Sequence, residues 1–198
     1  MNLKKNNTMN DYYDNETFKK VAFTNDQISR SDFDSCTFEN CDFSDMHVVN
    51  SEFLECEFID CNLSNTRLKE SSFKDVHFYS SKLLGIKFYE IDPFLLKINF
   101  TDCQVDYSSF YQLKMQNFQF VNCSVKEVDF TEANLQFSYF DDCDLLGSIF
   151  EASDLRNVNF KTARNFSIDL ESNRVEKAIF SKDNVANLLE KYKIKIVS

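Results

Sequence analysis

Large apolar residues recur at every fifth position along most of this chain, and neither an amphipathic helix nor a half-buried strand has that period. Between Ser31 and Phe58 the centres are Phe33, Phe38, Phe43, Val48, Phe53 and Phe58. Two residues before each centre stands something slim: Ser31, Cys36, Cys41, Met46, Ser51 and Cys56. The other three positions of each unit are mostly polar. A fixed self-similar period is the signature of a repeat architecture, whose units bury their apolar face only by stacking.

The register extends in both directions. Centres run from Phe18, Phe23 and Ile28 through Leu63, Leu68, Phe73, Phe78 and Leu83 to Phe88. The interval from Phe88 to Phe100 is two residues too long for two units, and it contains the only proline, Pro93, which suits a bulge or loop better than a ladder. The period resumes from Phe100 to Phe160 and continues more weakly through Leu170, Val175 and Phe180. Eighteen of the 22 Phe residues fall at centres, where chance would place about a fifth. The predicted organisation is a tail over 1–15, a first array over 16–88, a break over 89–99, a second array over 100–180 and a cap over 181–198.

Five residues cannot close a β-coil, but four fives make a square lap of twenty. At that spacing Phe100, Phe120, Phe140, Phe160 and Phe180 form one column, with Phe110, Phe130, Phe150 and Leu170 opposite. Val105, Val125 and Leu145, and Met115, Leu135, Leu155 and Val175, fill the faces between. Large rings alternating with aliphatic columns fill a narrow interior without voids. Seven to eight laps stacked at about 4.8 Å give a rod roughly 35 Å long. Past Phe180, Ser181 is an N-cap candidate. Val185, Leu188, Leu189 and Tyr192 follow as a helical stripe, and Ile194 and Ile196 alternate like an edge strand. Such a tail covers an open solenoid end, and its apolar residues are the candidate surface for pairing two copies.

Composition narrows the functional classes. Two Gly and one Pro are too few for a hairpin-rich sandwich. No apolar run reaches the length of a membrane span, and the start lacks a secretory apolar stretch, so a cytoplasmic location is the expectation. A formal charge of −10 argues against nucleic acid and anionic membrane as partners and favours a protein with a basic surface.

The unit seen in CTFEN, CDFSD, SEFLE, SDLRN and ANLQF resembles the pentapeptide-repeat family over about residues 16–180. The resemblance implies an all-β fold: a right-handed quadrilateral parallel β-helix with each centre pointing inward. The block NRVEKAIFSKDNVANLLEKYKIKIVS is similar to the C-terminal helix and strand of the quinolone-resistance (Qnr-type) members. Those are cytoplasmic bacterial dimers that bind type II topoisomerases (DNA gyrase or topoisomerase IV) as acidic mimics of DNA and protect gyrase from quinolones. The resemblance therefore implies a homodimer of that kind. Two projecting loops matter for protection in several members. No insertion interrupts the first array here, and only 89–97 corresponds to the second loop.

Catalytic and metal chemistry find little support in the sequence. All seven cysteines occupy slim positions, which reads as core packing, and C-x4-C without nearby His fits zinc poorly. His47 and His77 lie thirty residues apart, on opposite faces, and two glycines cannot make a phosphate-binding fingerprint. No cofactor, small-molecule substrate or enzyme activity is expected. The acids are the surface signal. Asp32, Asp34, Glu52, Glu55 and Asp75 gather on one face against Lys74, while Asp129, Glu132, Glu151, Asp169 and Glu171 share a face without a base. They serve either solubility or mimicry of a phosphate backbone. The segment Tyr89, Glu90, Ile91, Asp92, Pro93, Phe94 and Leu95 is either a stitch between two stacks or a projecting partner contact. A structural scaffold with an unrelated partner is the alternative to a topoisomerase binder.

Overall fold

A computed structural model describes residues 11–195. Strands β1 (Asp11–Asp14), β3 (Ser31–Asp34), β5 (Glu52–Leu54) and β7 (Ser72–Lys74) form a short parallel sheet. A long parallel sheet of seven strands contains β2 (Thr17–Lys19), β4 (Thr37–Glu39), β6 (Glu57–Ile59), β8 (Val76–Tyr79), β9 (Ile98–Thr101), β10 (Gln119–Val121) and β11 (Tyr139–Asp141). Bridges Tyr139↔Asn159 and Asn159↔Ile179 add two further levels to the long sheet. The other two faces are held by isolated bridges, such as Asp42↔Asn62 and Asn62↔Lys82 on one and Ser109↔Asp129 and Asp129↔Ile149 on the other. The molecule is thus a four-sided parallel β-solenoid.

The period of five arises at the corners. Two residues after most centres the backbone turns through the left-handed region, from Asn15 and Lys20 to Asn157, and glycine supplies only two of these turns, Gly85 and Gly147. Non-glycine residues strain at that conformation, so the stacked core must hold them there. The core is a set of in-register ring stacks. Along the long sheet, successive ring centroids are 4.6 Å apart at Phe38–Phe58, 4.8 Å at Phe100–Phe120 and 4.9 Å at Phe120–Phe140. The spacing opens to 5.6 Å at Phe78–Phe100, where the lap contains two extra residues.

The slim position does more than leave room. Its hydroxyl or thiol donates to the carbonyl of a centre one lap earlier: Ser51 to Ile28, Thr66 to Phe43, Ser138 to Met115 and Ser153 to Phe130. The cysteines do the same, with Cys56 donating to Phe33 and Cys143 to Phe120. A buried carbonyl left without a donor would be costly, so Ser, Cys and Thr recur here for their polar hydrogen as well as their size. Contact with the adjacent thiol, then burial, pushes the Cys56, Cys61, Cys103 and Cys143 thiols up.

Several expectations from the sequence are corrected. Residues 11–14 are not tail: Tyr13 stacks 5.0 Å below Phe33 and β1 pairs with β3, because Tyr13 extends the inward register by one more unit. Over Asn25–Ile28 the backbone makes one helical turn, α1, held by a capping box between Thr24 and Gln27, although Ile28 remains fully buried. Leu170 is not a core centre. Phe166 and Ile168 take the interior while Leu170 is 41% exposed, and the left-handed corner falls at Asn165. Phe166 is the larger apolar group, and it packs between Phe160 and Phe180, at 5.9 and 5.5 Å. The tail is a 3-10 helix over Val185–Tyr192, not a regular α-helix, and it ends at a left-handed Lys193. Ile194 lies in no strand, and the predicted edge-strand residue Ile196 falls outside the described residues.

Candidate functional site

The inserted residues of the long lap all fall on one face. Phe88–Glu90 forms a 3-10 turn, Asp92 still bridges to Ser72 below, and the Lys97 amide donates to the Phe73 carbonyl. Between these anchors the chain leaves the wall. Asp92 Oδ1 accepts from the Phe94 amide at 2.9 Å, and Leu95 turns through φ 56°. The segment both tucks inward and projects: Ile91 is buried, while Phe94 and Leu95 are 64% and 66% exposed.

The ladder above it is interrupted. In the regular laps, Asn134 and Asp154 each use their N–H and C=O on the lap beneath: Asn134 donates to Leu113 and accepts from Met115. Lys114 occupies the equivalent place one lap lower, but its N–H and C=O have no hydrogen-bond partner among the described residues. The gap is an open cleft of about 910 Å³. Tyr89, Asp92 and Phe94 line it from below, and Tyr111, Leu113 and Asp129 from above. Tyr89 and Tyr111 meet edge to face, 6.4 Å apart and perpendicular.

The acids separate into two clusters on adjacent faces. Asp32, Asp34 and Glu52 lie on the short sheet, with Glu55 and Asp75 at its corner. That cluster is partly neutralised locally. Lys74 Nζ lies 2.8 Å from Glu52, Asp75 is paired with Lys97 and His77, and Asp34 accepts from the Tyr12 hydroxyl. Hydrogen bonding from Lys97 holds the Asp75 carboxyl below the usual range. The second cluster sits on the face of Phe110, Phe130 and Phe150. The sequence placed no base there, but Lys191 from the tail reaches across to Asp169 at 2.6 Å and Glu171 at 3.4 Å. That contact lowers the Asp169 pKa and raises that of Lys191. Asp129, Glu132 and Glu151 have no ion-pair partner among the described residues. These three, with Asp92 beside the cleft, stand on adjoining faces without an ion pair among the described residues.

At the C-terminal end, Asn184 Nδ2 donates to the carbonyls of Phe160 and Ala163. Among the predicted pairing residues, Leu188 belongs to the chain's own core. Val185, Leu189, Tyr192 and Ile194 are exposed. Among the described residues, no helix is long and apolar enough to cross a membrane, and no group of three or more His, Cys, Asp or Glu is placed to hold a metal ion.

Sequence reasoning identified the 89–95 segment from its proline and its broken period, and the structure places the cleft there. It missed Tyr111, Leu113 and Lys114, which lie in an unbroken stretch of repeats. Their only signal was position: they stack directly above the insertion.

Comparison with known proteins agrees with this geometry. The family model described as pentapeptide repeat region matches residues 31–98 and 94–169. No curated protein sequence matches the chain. Among solved structures, full-length QnrB1, a plasmid-mediated fluoroquinolone resistance protein, aligns with a TM-score of 0.62 at 14% identity, covering 92% of this chain and 100% of its own. A trypsin-treated form of QnrB1 gives 0.64 at 14% identity, over 96% and 100%. HetL, involved in heterocyst differentiation regulation in the cyanobacterium Nostoc sp. strain PCC 7120, gives 0.71 at 13% identity, over 88% of each chain.

Proposed function

The chain belongs to the pentapeptide-repeat family, and from that premise we propose that it is a non-enzymatic interaction module whose acidic surface occupies the DNA-binding region of a type II topoisomerase. DNA gyrase and topoisomerase IV are the candidate partners, and protection from quinolones is the proposed consequence. The observation that carries the reading is the cluster of Asp129, Glu132 and Glu151, fixed on successive laps of a rigid wall without counter-charges. A rigid array of carboxylates loses little conformational freedom on binding, and it would release the ions held by a basic groove as DNA does. The exposed Val185, Leu189, Tyr192 and Ile194 supply the apolar face through which two copies pair in the cytoplasm.

A supercoiling assay with gyrase, with and without a quinolone and at two salt concentrations, tests the proposal. Inhibition that fades as salt rises is expected, and reversing Asp129, Glu132 and Glu151 to Lys abolishes it. Inhibition that survives the triple reversal counts against mimicry, and no inhibition and no protection at either salt removes the topoisomerase. The first array favours a second reading, because among the described residues it has no projecting loop and two of its clustered acids, Glu52 and Asp75, are already paired with lysines. On that reading the rod is a scaffold for an unrelated partner.

A further inference from the structure

The cleft over Tyr89–Phe94 combines three features that point to one kind of occupant. First, Lys114 presents an N–H and a C=O to the same side with nothing bonded to either, as an open sheet edge does. Every regular lap fills that position with a parallel neighbour. Second, the walls are aromatic: Tyr89 and Phe94 are exposed from below and Tyr111 stands perpendicular to Tyr89. Third, Asp92 and Asp129 outnumber the single cation, Lys114, and neither has an ion-pair partner among the described residues. Asp92 accepts only the Phe94 amide, while Asp129 accepts Ser109 Oγ at 3.1 Å and the Thr131 amide at 2.9 Å. Glu132 is linked to the rim through Gln112 at 2.8 Å.

We propose that this cleft binds an extended, basic segment of a protein partner. The segment adds a strand beneath Lys114 and seats an Arg or Lys side chain against the Tyr89, Phe94 and Tyr111 rings, between Asp92 and Asp129. Strand addition supplies main-chain hydrogen bonds, and the ring faces with the two carboxylates select the cation. The cleft's size suits a few residues rather than a domain. The inference rests on the reading of the protein as a binder of a basic partner and names the place where one segment of that partner docks.

The test is selection of a random octapeptide display library on the immobilised full-length chain, followed by affinity measurement on the enriched peptides. The expected peptides share one Arg or Lys at a fixed position. Phe94→Ala or Tyr111→Ala weakens them roughly tenfold, and Asp92→Asn with Asp129→Asn weakens them further and flattens the salt dependence. Methylating the peptide nitrogen that faces the Lys114 carbonyl abolishes binding. Leu146→Ala, exposed on another face, changes nothing and serves as the control. Failure to enrich any peptide, enrichment without a basic residue, or affinities indifferent to the cleft substitutions overturns the inference. Basic peptides captured by a chain that leaves gyrase untouched would sink only the topoisomerase reading. Gyrase inhibition that is unchanged in Phe94→Ala and Tyr111→Ala would sink only the cleft.

Discussion

The two arrays fill the same square interior in different ways. In the first, long ring columns occupy two adjoining faces, Phe18, Phe38, Phe58 and Phe78 on the long sheet and Tyr13, Phe33, Phe53 and Phe73 on the short one, with a single stacked pair, Phe23–Phe43, on a third. In the second, the partner column moves to the opposite wall, where Phe88, Phe110, Phe130 and Phe150 stack at 4.4, 5.3 and 5.0 Å. There the two columns meet edge to face, as at Phe120–Phe130, where the rings are 6.2 Å apart and 88° inclined. The short-sheet wall then carries Met115, Leu135 and Leu155 in place of rings. The change of packing mode and the two extra residues fall in the same lap. The short sheet loses its ring column after Phe73, and on that face the chain bulges outward. A solenoid accommodates an insertion where one wall is changing its filling, because the other walls can keep their ladders closed. The cleft is the visible trace of that exchange.

This contrast is tested first on the uninterrupted wall. Phe120 is fully buried, with rings above and below at 4.8 and 4.9 Å. Phe120→Ala is expected to cost about 3–5 kcal/mol, read from urea or thermal unfolding. A loss under about 1 kcal/mol would mean the stacked columns do not carry the fold.

An intermediate effect is expected on the wall that gave up its rings. There Asp154 accepts from Arg156 Nη2 and Nε, at 2.7 and 2.8 Å, with Arg174 at 3.3 Å. Asp154→Asn should cost about 1 kcal/mol, since the arginines are partly solvated. Hydrogen bonding from Arg156 lowers the Asp154 pKa, so its contribution is complete above the unfolded carboxyl value of about 4 and disappears as pH falls through the folded one. The wild type should lose stability below about pH 4 and the variant should lose less of it there. Parallel acid limbs in urea titrations would show that the pair is inert. The smallest effect belongs to the bulge: Phe94→Ala should leave stability within about 0.5 kcal/mol of wild type, because the ring packs into no wall. A larger loss would show that the bulge supports the core.

The repeat was legible because a period of five places Phe at the centre of so many units that the frame survives substitutions such as Val48 or Met115. The break was legible for the same reason, through Pro93 and the two surplus residues. What was not legible depended on contacts across laps. The carbonyl that each Ser or Cys satisfies lies 23 residues earlier in most laps, and no local pattern announces it. Tyr13 continues the ring column, but its polar surroundings resemble a tail. Phe166 displaces Leu170 because the larger ring wins the interior, a competition that spacing alone does not rank. Lys191 neutralises Asp169 and Glu171 only because the tail folds back across the face. The cleft's upper wall was hidden because its residues obey the repeat without exception.

The left-handed corners have one more consequence. They carry Asn, Lys, Arg, Ser, Asp, Glu, Gln, Ala, Tyr and Phe with nearly the same φ, so the backbone strain there is set by the stack more than by the side chain. Outside the two glycine corners, such unbranched residues can therefore be exchanged for one another, whatever their charge, without disturbing the stacking beneath. In such a molecule, binding preference can diverge quickly along the edges of the prism while the interior stays almost unaltered.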